Sequence, residues 1–269
     1  MDRVMSKDGT SIAYERQGSG PLVILVGGAF VDRSENAPLA AELAEHFTVC
    51  NYDRRGRGDS GDTQPYAVER EIEDIEALIT EAGGSANLYG ISSGGALVLE
   101  AAAAGVAADK LAVYEVPYNM APDGPQRQRE YVEQLEAFLA RGQHGDAAEL
   151  FMRTVGASDE MIEGAKRSPV WPGLQALAPT LAYDAACMGN GQPPADRLAT
   201  ITQPTLVATG GASPESFVGG GGDFFGKAAD AIVSSIPHAE RQTIEGQTHQ
   251  VDPKALAPAL HRFFKARSR

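Results

Sequence analysis

The stretch "LYGISSGGALVLEAAAA", residues 88–104, places two serines among glycines where an apolar strand pattern changes to an Ala-rich helix pattern. Its segment GISSG fits G-x-S-x-G, with Ser92 at the serine position. A strand, a tight turn and a helix with this pattern are typical of a nucleophile elbow, which tolerates only small flanking side chains. Ser92 is therefore the candidate nucleophile, and the N–H of Ser93 is expected to point towards an oxyanion. The alternative is an ordinary turn in which Ser92 caps the helix.

Strand and helix patterns alternate on both sides of this turn. PLVILVGG, residues 21–28, and FTVCNYD, residues 47–53, are continuous apolar runs of the kind found in strands buried on both faces. Residues 68–82 have apolar positions at helical spacing, and a further strand pattern, KLAVYEV, ends at residue 116. This alternation predicts βαβ units and a mostly parallel sheet.

The alternation stops after residue 116 and returns near residue 201. Between these points the segments have helical patterns and no strand pattern of comparable quality. A buried strand pattern then reappears at QPTLVATGG, followed by a helix, a last strand and a closing helix. We therefore expect an α/β core formed by residues 1–116 and 201–269, interrupted by a helical cap (lid) at residues 117–200.

Composition narrows the class of protein. The chain has 269 residues, of which 43% are hydrophobic, enough to form one large buried core. A formal net charge of −13 argues against binding to nucleic acid. Cys50 and Cys187 are expected to be buried thiols, and no pattern indicates a metal site. The polar start and the lack of a long apolar run predict a cytoplasmic protein without a membrane partner.

These features resemble the α/β-hydrolase family. YDRRGRGDS, residues 52–60, looks like the D-x-R-G-x-G-x-S loop of that family, and LVGGAF stands where the family usually has a His-Gly pair, with Gly27 in place of the His. The resemblance implies an α/β-hydrolase fold, a mostly parallel central sheet flanked by helices with a helical cap insertion, and a serine hydrolase that needs no cofactor. It also implies that the N–H of Ala29 is the first oxyanion donor and that Gly28 lies beside the substrate.

The resemblance also implies which histidine is the base. In the family the catalytic His lies in the loop between the last strand and the last helix, and the chain order is Ser, acid, His. His249, in EGQTHQVDP, occupies that position. An imidazole there is suited to accept the serine proton and to return it to the leaving group.

The acid departs from the usual family pattern. Ser213 stands where the family usually carries an Asp, and a serine cannot hold an imidazolium by charge. Glu115, at the end of the apolar run LAVYEV, is the expected acid because a carboxylate there is costly to bury unless it is paired. Asp223 and Glu215 remain alternative acids.

A more local resemblance points to the substrate. The fungal resorcylic-acid lactone (zearalenone-type) hydrolases also use a Ser-Glu-His set, and SSGG, YEVP, SPVW and GGASPESF look similar to stretches of theirs. This likeness implies a lactone or a bulky ester as substrate and a substrate contact from Trp171. Tyr118, just after YEVP, is a second expected contact.

The sequence thus predicts a hydrolase acting on a small apolar ester or lactone, in which Ser92 attacks, His249 accepts the proton and Glu115 orients the imidazole. The alternative is a non-hydrolytic relative, either a biosynthetic cyclase or lyase or a ligand-binding protein. The altered Gly27 position and the missing Asp leave room for it. The oligomeric state stays open.

Overall fold

The computed structural model describes residues 1–212 and 223–266, and within them the chain forms an eight-stranded sheet. The spatial order is β1-β2-β4-β3-β5-β6-β7-β8. The strands β3 to β8 are parallel to one another, whereas β2 pairs antiparallel with β4, and β1 pairs antiparallel with β2 at the sheet edge. Their bounds are β1 Asp2–Met5, β2 Ser11–Gly18, β3 Leu22–Val26, β4 Thr48–Tyr52, β5 Ala86–Ile91, β6 Ala108–Tyr114, β7 Thr205–Gly210 and β8 Ala239–Ile244.

Helices cover both faces of the sheet. In β3 every residue is buried, with Ile24 in the apolar cluster of one face and Val23 in the cluster of the other, as the two-residue period of a strand requires. The first face packs against α2 (Val68–Glu81), α3 (Ser93–Ala103) and α10 (Phe224–Ser235). The second packs against α1 (Ala37–Leu43) and α11 (Pro253–Lys265).

A helical segment lies between β6 and β7, in a part of the chain that the structure describes throughout. It has its own apolar cluster, centred on Leu135 and Leu181, and this cluster also contacts Ala29 and Phe30 from the loop after β3. The segment therefore packs against the loop at the carboxyl end of β3. Its helices are α4 Gly124–Ala140, α5 His144–Thr154, α6 Asp159–Lys166, α7 Trp171–Leu177, α8 Leu181–Met188 and α9 Ala195–Leu198.

The predicted α/β class and the mostly parallel sheet are confirmed. The edge strand β1 was not predicted, because it is short and mostly exposed and so carries no apolar run. Cys50 and Cys187 are free, buried thiols, as expected. No helix in the described parts of the chain is both long enough and apolar enough to cross a membrane. The division at residues 117 and 200 into core and cap stays a prediction.

Candidate active site

Ser92 lies at the turn between β5 and α3 that the sequence predicts. Its backbone has φ 56° and ψ −128°, a conformation that a non-glycine residue rarely adopts. The turn needs glycine on both sides: a Cβ on Gly90 would lie 2.4 Å from the carbonyl oxygen of Gly94, and a Cβ on Gly94 would lie 2.4 Å from that of Gly27. These close approaches hold the strand, the helix and the loop after β3 together around Ser92.

Gly28 and Ala29 carry this loop past the Ser92 side chain. A Cβ on Gly28 would lie 3.2 Å from the Cβ of Ser92 and 3.8 Å from its Oγ, so glycine lets the backbone approach the hydroxyl. Ala29, Ser92 and Ser93 line one cavity. Within the described residues, neither the N–H of Ala29 nor that of Ser93 donates a hydrogen bond to a protein acceptor.

Glu115 directly follows β6, the strand next to β5. Because the parallel pairing aligns Ile91 with Tyr114, the following residues, Ser92 and Glu115, come to the same edge of the sheet. Glu115 is 5% exposed and has φ 47°. Its Oε1 accepts a hydrogen bond of 2.8 Å from the N–H of Gly210, at the end of β7. The carboxylate is therefore buried, and the Gly210 N–H holds one of its two oxygens.

His249 contacts the other oxygen of the Glu115 carboxylate. Its Nδ1 is 2.8 Å from Glu115 Oε2, and since a carboxylate only accepts hydrogen bonds, Nδ1–H is the donor. The ring also stacks on Phe225, with ring centres 5.0 Å apart and planes 7° apart. Tyr114 Oη donates to the carbonyl oxygen of Thr248 at 2.6 Å, which anchors the loop. His249 also lines the cavity that contains Ser92.

Asp223, the alternative acid that the structure describes, binds elsewhere than His249. Asp223 is exposed and caps α10, where its side chain accepts a hydrogen bond of 2.9 Å from the N–H of Gly226. Glu215 lies outside the described residues, as do Ser213 and most of the GGASPESF stretch. Among the described carboxylates proposed as the acid, Glu115 is the one that contacts the imidazole.

The cavity at Ser92 has a volume of about 640 Å³. The sheet and its loops supply Ser92, His249 and part of the wall, and the helical segment between β6 and β7 supplies much of the remainder. Apolar side chains from both parts line it, among them Val31, Ile91, Leu150, Phe151, Met188 and Phe224.

Two expected substrate contacts lie elsewhere. Tyr118 is fully buried in the core cluster between sheet and helices, so its ring is covered on all sides. Trp171 begins α7 and packs against the apolar cluster of the helical segment. Neither side chain is part of the cavity lining. The position of an aromatic residue in the sequence does not reveal the direction of its side chain, and a substrate contact from either residue stays a prediction.

Comparison with known proteins agrees with this fold. Residues 22–259 match the sequence model of the Alpha/beta hydrolase family. The chain belongs to the α/β-hydrolase family. It is similar to an alpha/beta hydrolase from Sphaerobacter thermophilus DSM 20745, whose crystal structure shares 48% identity and a TM-score of 0.85 over 98% of this chain and 100% of that one.

Two other matches have lower sequence identity or cover a smaller part of the chain. An enol-lactonase from Burkholderia xenovorans LB400 shares the fold, with 20% identity and a TM-score of 0.71 over 98% of this chain and 100% of that one. The uncharacterized hydrolase YraK of Bacillus subtilis (strain 168) is 34% identical over 96 residues, 34% of this chain and 35% of that protein. The matched region thus spans about a third of that relative. The local likeness to zearalenone-type hydrolases stays a prediction.

A buried ionic cluster beside Ser92 was not predicted. Arg54 and Arg57 are each 2% exposed, and both bind Asp184 of α8, with N–O distances of 2.7 Å from Arg54 and 2.8 and 2.9 Å from Arg57. Arg54 also makes two 2.7 Å hydrogen bonds to Glu71 of α2. Burial favours a raised pKa for Asp184, but the charges of Arg57 and Arg54 outweigh it and hold the pKa below its usual value.

The sequence carried a weak signal for this cluster. In the family loop D-x-R-G-x-G-x-S, Arg55 occupies the fixed Arg position, whereas Arg54 and Arg57 occupy variable ones. Asp184 lies in the apolar run LAYDAACM, where a carboxylate needs a partner. Two surplus arginines and one buried Asp suggest a pairing, but more than 100 residues separate them in the chain.

Proposed function

We propose that this protein is a cofactor-independent serine hydrolase that cleaves carboxylic esters or lactones through Ser92, His249 and Glu115. The observation that carries the proposal is the 2.8 Å contact between the buried Glu115 carboxylate and His249, which lines the same cavity as the strained Ser92 turn. An imidazole held by a carboxylate next to a serine in a strand–turn–helix is the arrangement that activates a hydroxyl.

In this proposal the reaction proceeds through an acyl-enzyme. Ser92 Oγ attacks the substrate carbonyl, and His249 Nε2 accepts the hydroxyl proton. Glu115 keeps the proton on Nδ1 and stabilises the imidazolium that forms. The N–H groups of Ala29 and Ser93 donate to the oxyanion of the tetrahedral intermediate. His249 then protonates the leaving alcohol, and water releases the acyl group by the same steps in reverse.

The cavity supports a small apolar substrate. A volume of about 640 Å³ lies within the usual range for sites that enclose small molecules. We propose that residues 117–200 act as the cap, because Tyr131, Leu150 and Phe151 from its helices line the cavity opposite the sheet. The walls are mostly apolar, with some charged side chains such as Arg127, and such a lining suits an ester or lactone with a hydrocarbon body.

The proposal is tested by steady-state hydrolysis of p-nitrophenyl esters of graded chain length and lactones of graded ring size. We expect Ser92→Ala to lower kcat/KM by at least about 10³-fold on the best substrate, because the nucleophile is lost. Ser85→Ala is the matched control, since the exposed Ser85 hydroxyl binds Asp109 and does not line the cavity. A Ser92→Ala variant that retains the wild-type rate would remove the proposal.

A further inference from the structure

Arg57 contacts the peptide group that carries one of the two proposed oxyanion donors. Its Nη1 donates a hydrogen bond to the carbonyl oxygen of Gly28. That carbonyl and the N–H of Ala29 belong to the same planar peptide unit, so fixing one fixes the direction of the other. A hydrogen bond to the carbonyl also polarises the peptide and makes its N–H a stronger donor. Arg54 Nη1 donates to the preceding carbonyl, that of Gly27, at 3.3 Å.

The second oxyanion donor is tied to the same cluster through Asp184. Ser93 Oγ donates to Asp184 Oδ1 at 2.8 Å, and Ser93 is 3% exposed. Asp184 Oδ1 also accepts from Arg54 and Arg57. One carboxylate from the helical segment therefore connects the residue after the nucleophile to the arginines that hold the loop after β3.

Stability alone does not explain why the chain buries this cluster. Moving ions out of water is costly, and replacing a buried ionic cluster by apolar side chains is often neutral or stabilising. The cluster has two cations, Arg54 and Arg57, and two anions, Asp184 and Glu71, so its charges balance. What an apolar replacement cannot supply is a set of donors aimed at the carbonyls of the loop after β3.

We infer that Arg57 and Asp184 are positioning residues that align the two oxyanion donors, the N–H groups of Ala29 and Ser93, for ester or lactone hydrolysis. The inference rests on the proposed function. Because Asp184 belongs to α8, the helical segment contributes to the alignment of the oxyanion site as well as to the cavity wall.

The same loop provides a matched control in Arg55. Arg55 is fully buried like Arg57 and binds two carboxylates, Asp74 at 2.7 and 2.8 Å and Asp8 at 2.8 Å. Its other hydrogen bond goes to the carbonyl oxygen of Arg70, away from the Ser92 cavity. Arg55→Met therefore removes an equally buried guanidinium of the same loop without touching the oxyanion peptides.

The experiment compares Arg57→Met and Arg55→Met with wild type on the best ester of the panel, with folding checked by circular dichroism. We expect Arg57→Met to lower kcat about 10- to 100-fold while KM stays within about threefold, because a donor that is misaligned rather than deleted loses part of its effect. The inhibition constant of a trifluoromethyl ketone, which forms a tetrahedral oxyanion on the serine, should rise by a similar factor. Folded Arg55→Met should keep kcat and the inhibition constant near their wild-type values.

Three results would overturn the inference while the wild type hydrolyses esters through Ser92: an unchanged kcat in Arg57→Met, an unchanged trifluoromethyl ketone affinity, or an equal loss of kcat in Arg55→Met. If Arg57→Met does not fold, the inference is tested with Ser93→Ala. This variant removes the hydroxyl that binds Asp184 and keeps the backbone N–H of residue 93. A kcat about three- to tenfold lower at constant KM supports the inference, and an unchanged kcat overturns it. A wild type without ester or lactone hydrolysis removes the proposed function, and the inference with it.

Discussion

Replacing Glu115 by glutamine tests the proposed acid without changing the size of its side chain. The carboxylate has two partners on opposite sides, the N–H of Gly210 and Nδ1 of His249, each at 2.8 Å. The Gly210 N–H only donates, so it binds the oxygen of a glutamine amide and directs the NH₂ group at His249. Nδ1 must then accept a hydrogen bond from this NH₂ group, so the ring proton moves to Nε2. Nε2 is the atom that has to accept the proton of the Ser92 hydroxyl in the proposed reaction.

The size of the effect follows from this tautomer. With Nε2 protonated, His249 cannot act as the base for Ser92, and the imidazolium loses the charge that stabilises it. The equivalent Asp-to-Asn change in a serine protease triad lowers kcat by about 10⁴. We therefore expect Glu115→Gln to lower kcat by about 10³- to 10⁴-fold, with KM changed only a few-fold, because the side chain does not line the cavity.

The assay is p-nitrophenol release at saturating ester, with thermal melting to show that the variant is folded. Asp223→Asn is the matched control, since it makes the same carboxylate-to-amide change at the other described candidate acid. Asp223 caps α10, and asparagine caps helices equally well, so its kcat should stay within about twofold of wild type. A Glu115→Gln variant within tenfold of wild type, or an Asp223→Asn variant with the large loss, would refute the assignment.

Further predictions concern packing and the thiols. Gly94→Ala should lower the free energy of unfolding in urea by about 1–3 kcal/mol or more, because its Cβ would lie 2.4 Å from the carbonyl oxygen of Gly27. Gly164→Ala in α6 has open space and should be neutral or stabilising by up to about 1 kcal/mol, so equal values for both variants would contradict the close approach. Burial raises the pKa of Cys50 and of Cys187 to about 12, so both remain neutral thiols at pH 8. Neither should react with Ellman's reagent until the protein is unfolded, and rapid reaction of the native protein would contradict their burial.

The parallel core was predictable because burial on both faces leaves a continuous apolar run. All five residues of β3, Leu22–Val26, are buried, and the sequence there reads LVILV. The strand β1 shows the opposite case, since its mostly exposed DRVM has no such run and pairs only at the sheet edge. Edge strands of this kind depend on a partner strand rather than on local sequence.

The positions of Ser92 and Glu115 were predictable because each follows a strand, and adjacent parallel strands bring such residues to the same edge. The partners of Arg57 were not, because its binding to Asp184 joins residues 127 positions apart. The sequence shows that a buried charge needs a partner but does not say which one. Tyr118 and Trp171 do not line the cavity for a related reason: position along the chain does not indicate which way a side chain points.

Labelling with a fluorophosphonate, followed by peptide mass spectrometry, shows whether the Ser92 hydroxyl is the nucleophile. We expect one adduct per chain, on Ser92, and no adduct in Ser92→Ala. The adjacent Ser93 should remain unmodified, since its hydroxyl donates to Asp184. No adduct would favour the non-hydrolytic alternative, and an adduct on any residue other than Ser92 would contradict the proposed site.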